Sequence, residues 1–313
     1  MLRPIIPMEP KSKEPNQIPA STEWLTQVKW DGVRILTYVD GKNVKLFNRK
    51  INERTLNYPE LLETKTYLQA SSVILDGEII ALGKDGKPSF HEVMKRDSIR
   101  NEEKVEKAKK SVPVTYMIFD VLYYNGEWIN NQPLNERNRI LWDIIKPQQH
   151  IQLVTSHDDG KSLFSTIKEY GMEGIVLKKK DSPYLIGEKK DYWLKIKNYQ
   201  DVVAVVGGYT VNGPAANALL LGLYDQQGRL WYIGHAGTGR ITQEEWRMLT
   251  QILQLNQIES SPFVNYTTIH PNSFWVNPQL TVKVKFAEWT PDKALRQPSI
   301  EAFVNIPPNE CLF

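Results

Sequence analysis

Short runs rich in β-branched and aromatic residues recur along most of the 313-residue chain, and they constrain its fold more than any other feature. Residues of these types fit the pleated surface of a sheet, and stretches with the spacing of an amphipathic helix are fewer. We predict strands at 33–35, 44–46, 73–80, 114–123, 174–179 and 192–197. We predict helices near 57–62, 135–145 and 162–170, with 96–110 helical or loose and the opening segment extended. The sequence therefore predicts an α+β fold with antiparallel sheets and helices.

The pattern changes near Gln200. Beyond this residue we predict strands at 202–209, 218–224, 230–235 and 280–286, and one helix that opens with a Thr-x-x-Glu capping box at Thr242. Short strands and a single helix within roughly a hundred residues are typical of an OB-fold β-barrel. We therefore predict two domains, 1–199 and 200–313, with a hinge between them.

Composition excludes several classes of protein. The one cysteine, Cys311, excludes an internal disulfide and a cysteine-rich zinc site. No stretch approaches the roughly 18 apolar residues of a membrane span, and the opening apolar run is too short for a signal peptide. We expect a cytoplasmic protein without a membrane partner. The formal charge of +3 is too small to indicate nucleic-acid binding by itself, but lysine clusters such as Lys178–Lys180 could supply phosphate contacts.

The sharpest local pattern is Lys-Trp-Asp-Gly-Val-Arg at 29–34. A lysine amine that attacks the α-phosphorus of a nucleotide forms a phosphoramidate, which stores the nucleotide in a transferable form. A free lysine is uncharged only about once in 2,500 molecules at pH 7, so we expect burial and nearby cations to lower the pKa of Lys29. The hexapeptide alone leaves open the alternative of a Lys–Asp pair beside a hairpin.

Two strand patterns supply acidic and aromatic groups. Asp-Gly-Glu ends a buried strand at Glu78, where a carboxylate can accept a ribose hydroxyl or hold a metal. Alternation along the run at 116–122 places Asp120 on one face with Tyr116 and Ile118. Phe119 then lies on the other face, where its ring could stack on adenine. An ordinary turn and a core phenylalanine are the alternatives.

The strand Trp-Leu-Lys-Ile-Lys at 193–197 carries two cations. Its period of two places Trp193, Lys195 and Lys197 on one face and the aliphatic residues on the other. Two ammonium groups on one face of a half-buried strand need an anion between them, and a triphosphate fits that need. Lysines facing solvent are the alternative. Glu173, from Glu-Gly-Ile-Val-Leu-Lys, would complete a site with a nucleophile, two acids, a metal and two phosphate-binding lysines.

The ordered set of patterns resembles the covalent nucleotidyltransferase superfamily, which comprises DNA ligases, RNA ligases and mRNA-capping enzymes. The motifs are Lys-x-Asp-Gly-x-Arg, Leu-x-Asn-Arg at 46–49, Asp-Gly-Glu, Tyr-x-x-Phe-Asp, Glu-Gly-Ile-Val-Leu-Lys and Trp-Leu-Lys-Ile-Lys. Segments at 205–210, 220–224, 232–239, 286–290 and 295–299 look like the C-terminal domain of bacterial ATP-dependent DNA ligases of the end-joining, ligase D type. The resemblance covers essentially the whole chain. It implies an adenylation (nucleotidyltransferase) domain followed by an OB-fold domain.

The resemblance also implies a role for each candidate residue. Lys29 would be the adenylated lysine, and Lys195 and Lys197 would hold the α-phosphate of ATP. Glu173 would bind Mg²⁺ or Mn²⁺, and Glu78 would bind the metal or the ribose. The other nucleotide-binding candidates are Gln27, Val28, Arg49, Phe119 and Arg296. The predicted DNA contacts are Arg34, which is also counted as catalytic, Arg49, Lys189, Lys283 and Lys285.

The sequence departs from the family's pattern in four places. Where Gln27 stands, the family usually has a glutamate that reads the adenine amino group; the amide oxygen of Gln27 could still accept that bond. Lys189 replaces an arginine and cannot form a bidentate fork. Lys283 and Lys285 stand where acidic residues are usual. The chain after Arg296 lacks the basic-acidic tail common in relatives, so we expect the first chemical step to be the most vulnerable.

These implications predict an ATP-dependent DNA ligase that seals nicks or breaks through lysyl-AMP and a DNA-adenylate. Its partners would be nicked duplex DNA and, in end joining, a Ku-like end-binding protein, and the enzyme would act as a monomer. An RNA ligase and a GTP-using capping enzyme stay open as alternatives, because they share the same lysine chemistry. A nucleic-acid-binding protein of this fold without catalysis is the alternative from a different class.

Overall fold

The computed structural model describes residues 2–213, 215–239, 241–267 and 272–313. By its internal contacts the chain divides into two units, Met1–Asn198 and Tyr199–Phe313. In the described part of the chain, no helix is both long and apolar enough to cross a membrane. Helices and mostly antiparallel strands occur together, as the α+β prediction requires.

The N-terminal unit is built from strands, short helices and 3-10 turns. Its strands are β1 (Glu9–Lys13), β2 (Trp24–Val28), β3 (Val33–Asp40), β4 (Asn43–Asn48), β5 (Ser72–Ile80), β6 (Thr115–Tyr124), β7 (Glu127–Trp128), β8 (Ile151–Leu153), β9 (Gly174–Lys179) and β10 (Lys189–Lys197). Its helices are α1 (Phe90–Asp97), α2 (Glu102–Ser111), α3 (Leu134–Ile144) and α4 (Gly160–Glu169). The predicted strands and the helices at α3 and α4 are confirmed. The charged segment at 96–110 contains the end of α1 and most of α2.

Two sheets face each other in this unit. The first sheet has the order β1-β10-β9-β2, and the second has the order β4-β3-β5-β6-β7, with β8 beside β6. Helix α4 packs on the outer face of the first sheet through Ile167. Trp193 of the first sheet packs between the sheets with Leu36 and Ile74 of the second. Helices α1 and α3 cover the other face of the second sheet. Apolar side chains from both sheets therefore fill part of the space between them.

One predicted helix is replaced by 3-10 turns. The segment at 57–62 contains parts of two short turns, Thr55–Asn57 and Pro59–Leu61, rather than the start of an α-helix. Tyr58 separates them with φ −135° and ψ 59°, outside the helical region. A residue before proline is sterically disfavoured in the α conformation, and Tyr58 precedes Pro59. The same proline that suggested a helix start therefore divides the segment.

The strand β6 departs from the predicted alternation at Phe119. Ile118 and Asp120 pair with neighbouring residues of β5, so Phe119 is an extra residue between them. Such a bulge changes the face on which the following residues lie. Val121 joins Ile118 in the core beneath the helices, and Asp120 instead pairs opposite Asp76. The prediction that Asp120 shares a face with Ile118 was wrong.

The C-terminal unit is mostly β-structure. Its strands are β11 (Gln200–Asn212), β12 (Ala215–Tyr224), β13 (Leu230–Ala236), β14 (Gln257–Ile258), β15 (Ser273–Val276), β16 (Thr281–Phe286), β17 (Glu288–Trp289), β18 (Leu295–Arg296) and β19 (Ser299–Val304). Helix α5 (Gln243–Leu255) begins at the predicted Thr242 capping box, in which Thr242 and Glu245 hydrogen-bond to each other's backbone. The four strands and the helix predicted here are confirmed.

The long strand β11 organises the C-terminal sheet. Its first half pairs with β16, and its second half pairs with β15, while β12 lies along its other side. The register shifts between Val206 and Gly208, where the strand passes from one partner to the other. A single parallel bridge between Gly237 and Ser299 connects the end of β13 to β19. The ladders of the described strands do not close into a complete barrel.

Candidate active site

The polar residues of β2, β9 and β10 share one face of the first sheet. Lys29 directly follows β2, and its backbone N–H donates to the carbonyl of Gly174 at 2.9 Å. Val176 of β9 lies in register with Gln27 on one side and with Lys195 on the other. Because alternate residues of a strand share a face, this register places Gln27, Lys29 and Lys195 on the same side of the sheet. The predicted placement of Lys195 and Lys197 on one face of β10 is confirmed.

Glu173 connects the two candidate lysines nearest to it. Its Oε2 accepts a hydrogen bond from Lys29 Nζ at 2.8 Å, and its Oε1 lies 3.1 Å from Lys197 Nζ. The following residue, Gly174, has φ 150°, and a Cβ there would lie 2.1 Å from the carbonyl oxygen of Ile196. Only glycine permits this approach of β9 to β10. The Glu-Gly pair therefore places the carboxylate between the two lysines.

The pKa of Lys29 is raised above its ordinary value. Burial lowers it, but the carboxylates of Glu173, Glu78 and Asp31 together outweigh the effect of burial. The expectation that its surroundings lower this pKa was therefore wrong, because the acids beside Lys29 act more strongly than burial and the nearby cations. Lys195 shows the opposite effect: burial and the charges of neighbouring lysines lower its pKa.

Glu78 reaches the site from the second sheet. It lies on β5 in register with Arg34 of β3, and burial raises its pKa to about 8 despite the nearby charges of Lys29 and Arg34. A Cβ on Gly32 would lie 3.1 Å from Glu78 Cγ and 2.1 Å from the carbonyl oxygen of Ile79. Gly32, three residues after Lys29, therefore lets the segment that follows Lys29 pack directly against β5.

The donor set of the site fits a hard divalent cation that is shared with substrate. Glu78 and Glu173 offer carboxylate oxygens, the ligands that Mg²⁺ and Mn²⁺ prefer. Within the described residues, no cluster of three or more His, Cys, Asp or Glu side chains could hold a metal ion. Mg²⁺ is usually bound by one or two carboxylates together with water and substrate phosphate. Two carboxylates beside the lysines predicted to bind phosphate match that mode.

The guanidinium of Arg34 forms hydrogen bonds with neighbouring protein groups. Its Nε and Nη2 donate to the two oxygens of Asp76 at 2.9 and 2.6 Å, and its Nη1 donates to the carbonyl of Met8 at 2.7 Å. Its guanidinium carbon lies 5.4 Å from the ring centroid of Phe119. The arginine thus ties the N-terminal segment to β5 and supports the aromatic ring. Its contact with a nucleotide or DNA phosphate stays a prediction.

Lys178 is a site residue that sequence reasoning missed. Counted above in a cluster of potential phosphate contacts, it is only 2% exposed. Its Nζ lies 4.2 Å from the Phe119 ring centroid and 4.1 Å from that of Trp193, and it donates to the Phe119 carbonyl at 3.4 Å. Burial lowers its pKa to about 7. Its alternation with Val176 on β9 was the available signal, because it places Lys178 on the site face.

Gln27 and Phe119 lie where the site becomes less polar. Phe119 and Trp30 pack against a small cluster of Ile80, Met117 and Val154. Gln27 is 3% exposed, and its Nε2 donates to Ser156 Oγ at 3.0 Å. No pattern in the sequence marked Ser156, because it belongs to the connection between β8 and α4.

Of the three remaining candidates of the N-terminal unit, one lies on the face of the sheet opposite Lys29 and two are exposed at the surface. The side chain of Val28 packs in the core beneath α4, on the opposite face of the sheet from Lys29. Arg49 is exposed, and its Nη1 lies 3.5 Å from Glu9 Oε1. Lys189 is exposed at the start of β10. Their roles in binding nucleotide or DNA stay predictions.

The other three candidates belong to the C-terminal unit. Lys283 and Lys285 lie on β16, where Lys283 Nζ is 2.7 Å from Asp201 Oδ2 and Lys285 lies over an aromatic ring. Arg296 pairs with Glu288 across the β17–β18 hairpin. The predicted roles of these three residues in binding nucleotide or DNA stay predictions.

Two family matches cover most of the chain. Residues 12–197 match the family described as ATP dependent DNA ligase domain, and residues 212–303 match the ATP dependent DNA ligase C terminal region. The multifunctional non-homologous end joining DNA repair protein LigD of Mycobacterium tuberculosis is 28% identical over 285 residues, which are 89% of this chain and 36% of that protein. The SPbeta prophage-derived DNA ligase-like protein LigB of Bacillus subtilis is 32% identical over 188 residues, 60% of this chain and 66% of that protein. The chain thus spans about a third of the length of the mycobacterial relative.

Solved structures resemble the whole chain. The crystal structure of the ligase domain from Mycobacterium tuberculosis LigD has a TM-score of 0.54 at 26% identity and covers 99% of this chain and 98% of its own. Mycobacterial DNA ligase D complexed with ATP and MES gives a TM-score of 0.55 at 26% identity, with 98% of each chain covered. These likenesses confirm the predicted fold class, an adenylation fold followed by an OB-fold. With more than half of its length inside the first family match, the chain belongs to the ATP-dependent DNA ligase family.

Proposed function

We propose that this chain joins a 5′-phosphate to a 3′-hydroxyl in duplex DNA, with ATP as the source of the activating AMP. The observation that carries the proposal is the Glu173 carboxylate bridging Lys29 and Lys197. Lys195 lies on the same face of the sheet, and Glu78 approaches from the opposite sheet. A lysine nucleophile between acids and further lysines suits attack on a phosphate whose charge must be neutralised.

In the first step, Lys29 Nζ attacks the α-phosphorus of ATP. Because its raised pKa makes Lys29 an ammonium at neutral pH, Nζ must first lose a proton, and Glu173 Oε2, which is 2.8 Å from Nζ, would receive it and pass it to solvent. The P–N bond then forms while the P–O bond to pyrophosphate breaks, and Nζ loses a second proton to water. Lys195 and Lys197 would stabilise the charge that develops on the phosphate oxygens. A divalent cation held by Glu78 and Glu173 would neutralise further phosphate charge, and its positive charge would lower the pKa of Lys29, which favours the loss of a proton from Nζ.

In the second step the same carboxylate and lysine release the AMP that they captured, and the third step joins the DNA. An oxygen of the DNA 5′-phosphate attacks the α-phosphorus, and the P–N bond to Lys29 breaks as Nζ is protonated again. Protonation of the phosphoramidate nitrogen favours this step, because lysine then leaves as a neutral amine rather than as an amide anion. The 3′-hydroxyl then attacks the 5′-phosphorus and loses its proton to solvent; the new P–O bond forms as the P–O bond to AMP breaks, and AMP leaves. One carboxylate–lysine pair would thus serve both the capture and the release of AMP.

We further propose a role in joining broken DNA in the bacterial cytosol. The mycobacterial relatives carry end joining in their names, which supports this role for the shared part. Nicked duplex would be the simplest substrate, and a Ku-like end-binding protein would bring the enzyme to double-strand ends. The cations Arg49, Lys189, Lys283 and Lys285 would contact DNA phosphates, and a monomer would suffice for the chemistry.

The decisive experiment is covalent labelling with α-labelled ATP and Mg²⁺, followed by denaturing electrophoresis. Pretreatment with pyrophosphate removes AMP already carried from expression. We expect label on the wild type and on a Lys65→Ala control, which loses an exposed lysine, and none on Lys29→Ala. A chase with nicked DNA should then move the label to DNA and seal the nick. Joining of nicked RNA alone would contradict the DNA substrate, and an unlabelled wild type would contradict the enzyme.

A further inference from the structure

Apart from Lys178, which is buried against the rings of Phe119 and Trp193, the polar face of the first sheet is divided into a cationic part and a neutral part. Lys195 and Lys197 lie on β10, and Lys29 follows β2, so the cations meet around Glu173. Gln27 lies on the same face at the outer strand of the sheet, with Val176 of β9 between it and Lys195. Phosphates bind where cations gather, and the base of a nucleotide is uncharged. A nucleotide bound with its α-phosphate at Lys29 would therefore direct its base to the part around Gln27.

The surroundings of Gln27 suit an aromatic base. Phe119 and Trp30 are half-buried and pack beside Met117 and Val154, which gives this part of the site apolar walls. The connection at 154–157 crosses from one sheet to the other: Val154 N–H donates to the second sheet at 2.9 Å, and His157 N–H donates to the first at 2.8 Å. This connection places Ser156 beside the Gln27 amide, which it contacts at 3.0 Å.

The Gln27–Ser156 pair can present either a donor or an acceptor to the base. With Nε2 donating to Ser156 Oγ, as in the structure, the amide oxygen is the end that can accept from a 6-amino group. A half-turn of the amide presents Nε2 instead, which can donate to a 6-keto oxygen. The serine hydroxyl can then donate to the amide oxygen, because a hydroxyl is both donor and acceptor. Neither orientation leaves the amide or a purine 6-substituent unpaired.

We propose that this pair makes the nucleotide site tolerant of the purine 6-substituent, so that Lys29 is charged by 6-keto purine nucleoside triphosphates as well as by ATP. The inference rests on the proposed function, since it concerns the nucleotide that Lys29 attacks. A carboxylate in place of the amide would only accept hydrogen bonds when ionised. It would leave a 6-keto oxygen facing another acceptor in a buried position, which is unfavourable.

The test compares covalent labelling of the wild type by α-labelled ATP and α-labelled inosine triphosphate in single-turnover reactions. Hypoxanthine differs from adenine at position 6 and in the proton on N1, and it lacks the 2-amino group of guanine. The change of the ATP:ITP ratio in a variant of Gln27 therefore isolates the group that Gln27 would read. We expect the ATP:ITP ratio of labelling efficiencies to stay below about thirtyfold in the wild type and to rise at least about tenfold in Gln27→Glu. Gln69→Glu is the matched control, because Gln69 is exposed, and it should leave the ratio unchanged.

The outcomes separate this inference from the proposed function. A wild type labelled by ATP but with a ratio above about thirtyfold overturns the inference and leaves the ligase chemistry standing. A smaller rise than tenfold in Gln27→Glu also overturns it. If that variant fails to fold, competition of unlabelled ITP against labelled ATP on the wild type decides the matter with the same threshold. Absence of labelling by both nucleotides after pyrophosphate treatment contradicts both proposals.

Discussion

Two carboxylates of the N-terminal unit each hold a cation, in surroundings that differ sharply. The side chain of Glu173 is 10% exposed, and that of its partner Lys29 is 23% exposed. The Asp76 side chain is fully buried and accepts both fork donors of Arg34 together with the Tyr184 hydroxyl at 2.7 Å. Glu173 and Lys29 are exposed enough for a substrate phosphate to replace the carboxylate as the partner of the lysines. The second pair has its oxygens occupied and holds β5 to the N-terminal segment, so it would serve the site by keeping the groups around it in place.

The largest expected effect is the loss of Lys29 labelling in Glu173→Gln. The amide keeps the size of the side chain but cannot take the lysine's proton or neutralise two ammonium groups. We expect the rate of Lys29 labelling to fall by about a hundredfold or more, as for loss of one charge-stabilising group in other enzymes. Rapid-quench labelling at saturating ATP measures it, with Glu127→Gln, an exposed residue, as the control. A rate within threefold of the wild type would remove Glu173 from the chemistry.

Asp76→Asn tests whether the buried pair of Asp76 and Arg34 stabilises the fold. Removing the charge leaves Arg34 buried without its counter-ion, which typically destabilises a protein by about 3–5 kcal/mol. We expect the free energy of unfolding to fall by this amount, measured from the unfolding transition of the N-terminal unit in urea. Asp143→Asn, at an exposed position on α3, is the control and should change stability by less than about 0.5 kcal/mol. If Asp76→Asn were as stable as that control, the buried pair would not hold the fold.

The acid on the second sheet should make adenylation depend on pH. Burial raises the pKa of Glu78 to about 8, so below that pH the group is mostly a neutral carboxyl and a poor metal ligand. At limiting Mg²⁺, we expect the labelling rate to rise by up to about tenfold per pH unit as the pH approaches 8. Higher Mg²⁺ should move the rise to lower pH, because a bound cation favours the carboxylate. If the labelling rate of Glu78→Gln rose with pH in the same way, the rise would come from another titrating group.

Much of the site was predictable because its residues lie on strands with clear alternation. Lys195 and Lys197 were expected on one face of their strand, and the register of β2, β9 and β10 places Lys29 on the same face. Glu173 and Glu78 followed from short motifs at strand ends. These features depend on local periodicity, which the order of residue types records directly.

The features that were missed depend on contacts between distant parts of the chain. Ser156 lies 129 residues from Gln27, and Tyr184 lies 108 residues from Asp76, so no local pattern connects them. The bulge at Phe119 arises from how β6 pairs with β5, and it reversed the predicted facing of Asp120. The raised pKa of Lys29 was missed for the same reason, since it depends on acids contributed by both sheets.

The smallest effect concerns Lys178, a cation whose carboxylate neighbours are already paired with arginines. Burial lowers its pKa to about 7, while an unfolded lysine titrates near 10.4. Between these values the unfolded chain binds more protons than the folded one, so the free energy of unfolding should increase with pH. We expect the contribution of Lys178 to be about 1 kcal/mol per pH unit above pH 7. Urea denaturation at several pH values should show a shallower slope for Lys178→Met than for the wild type. Equal slopes would mean that Lys178 keeps an ordinary pKa, and that its contacts with the rings of Phe119 and Trp193 compensate fully for its burial.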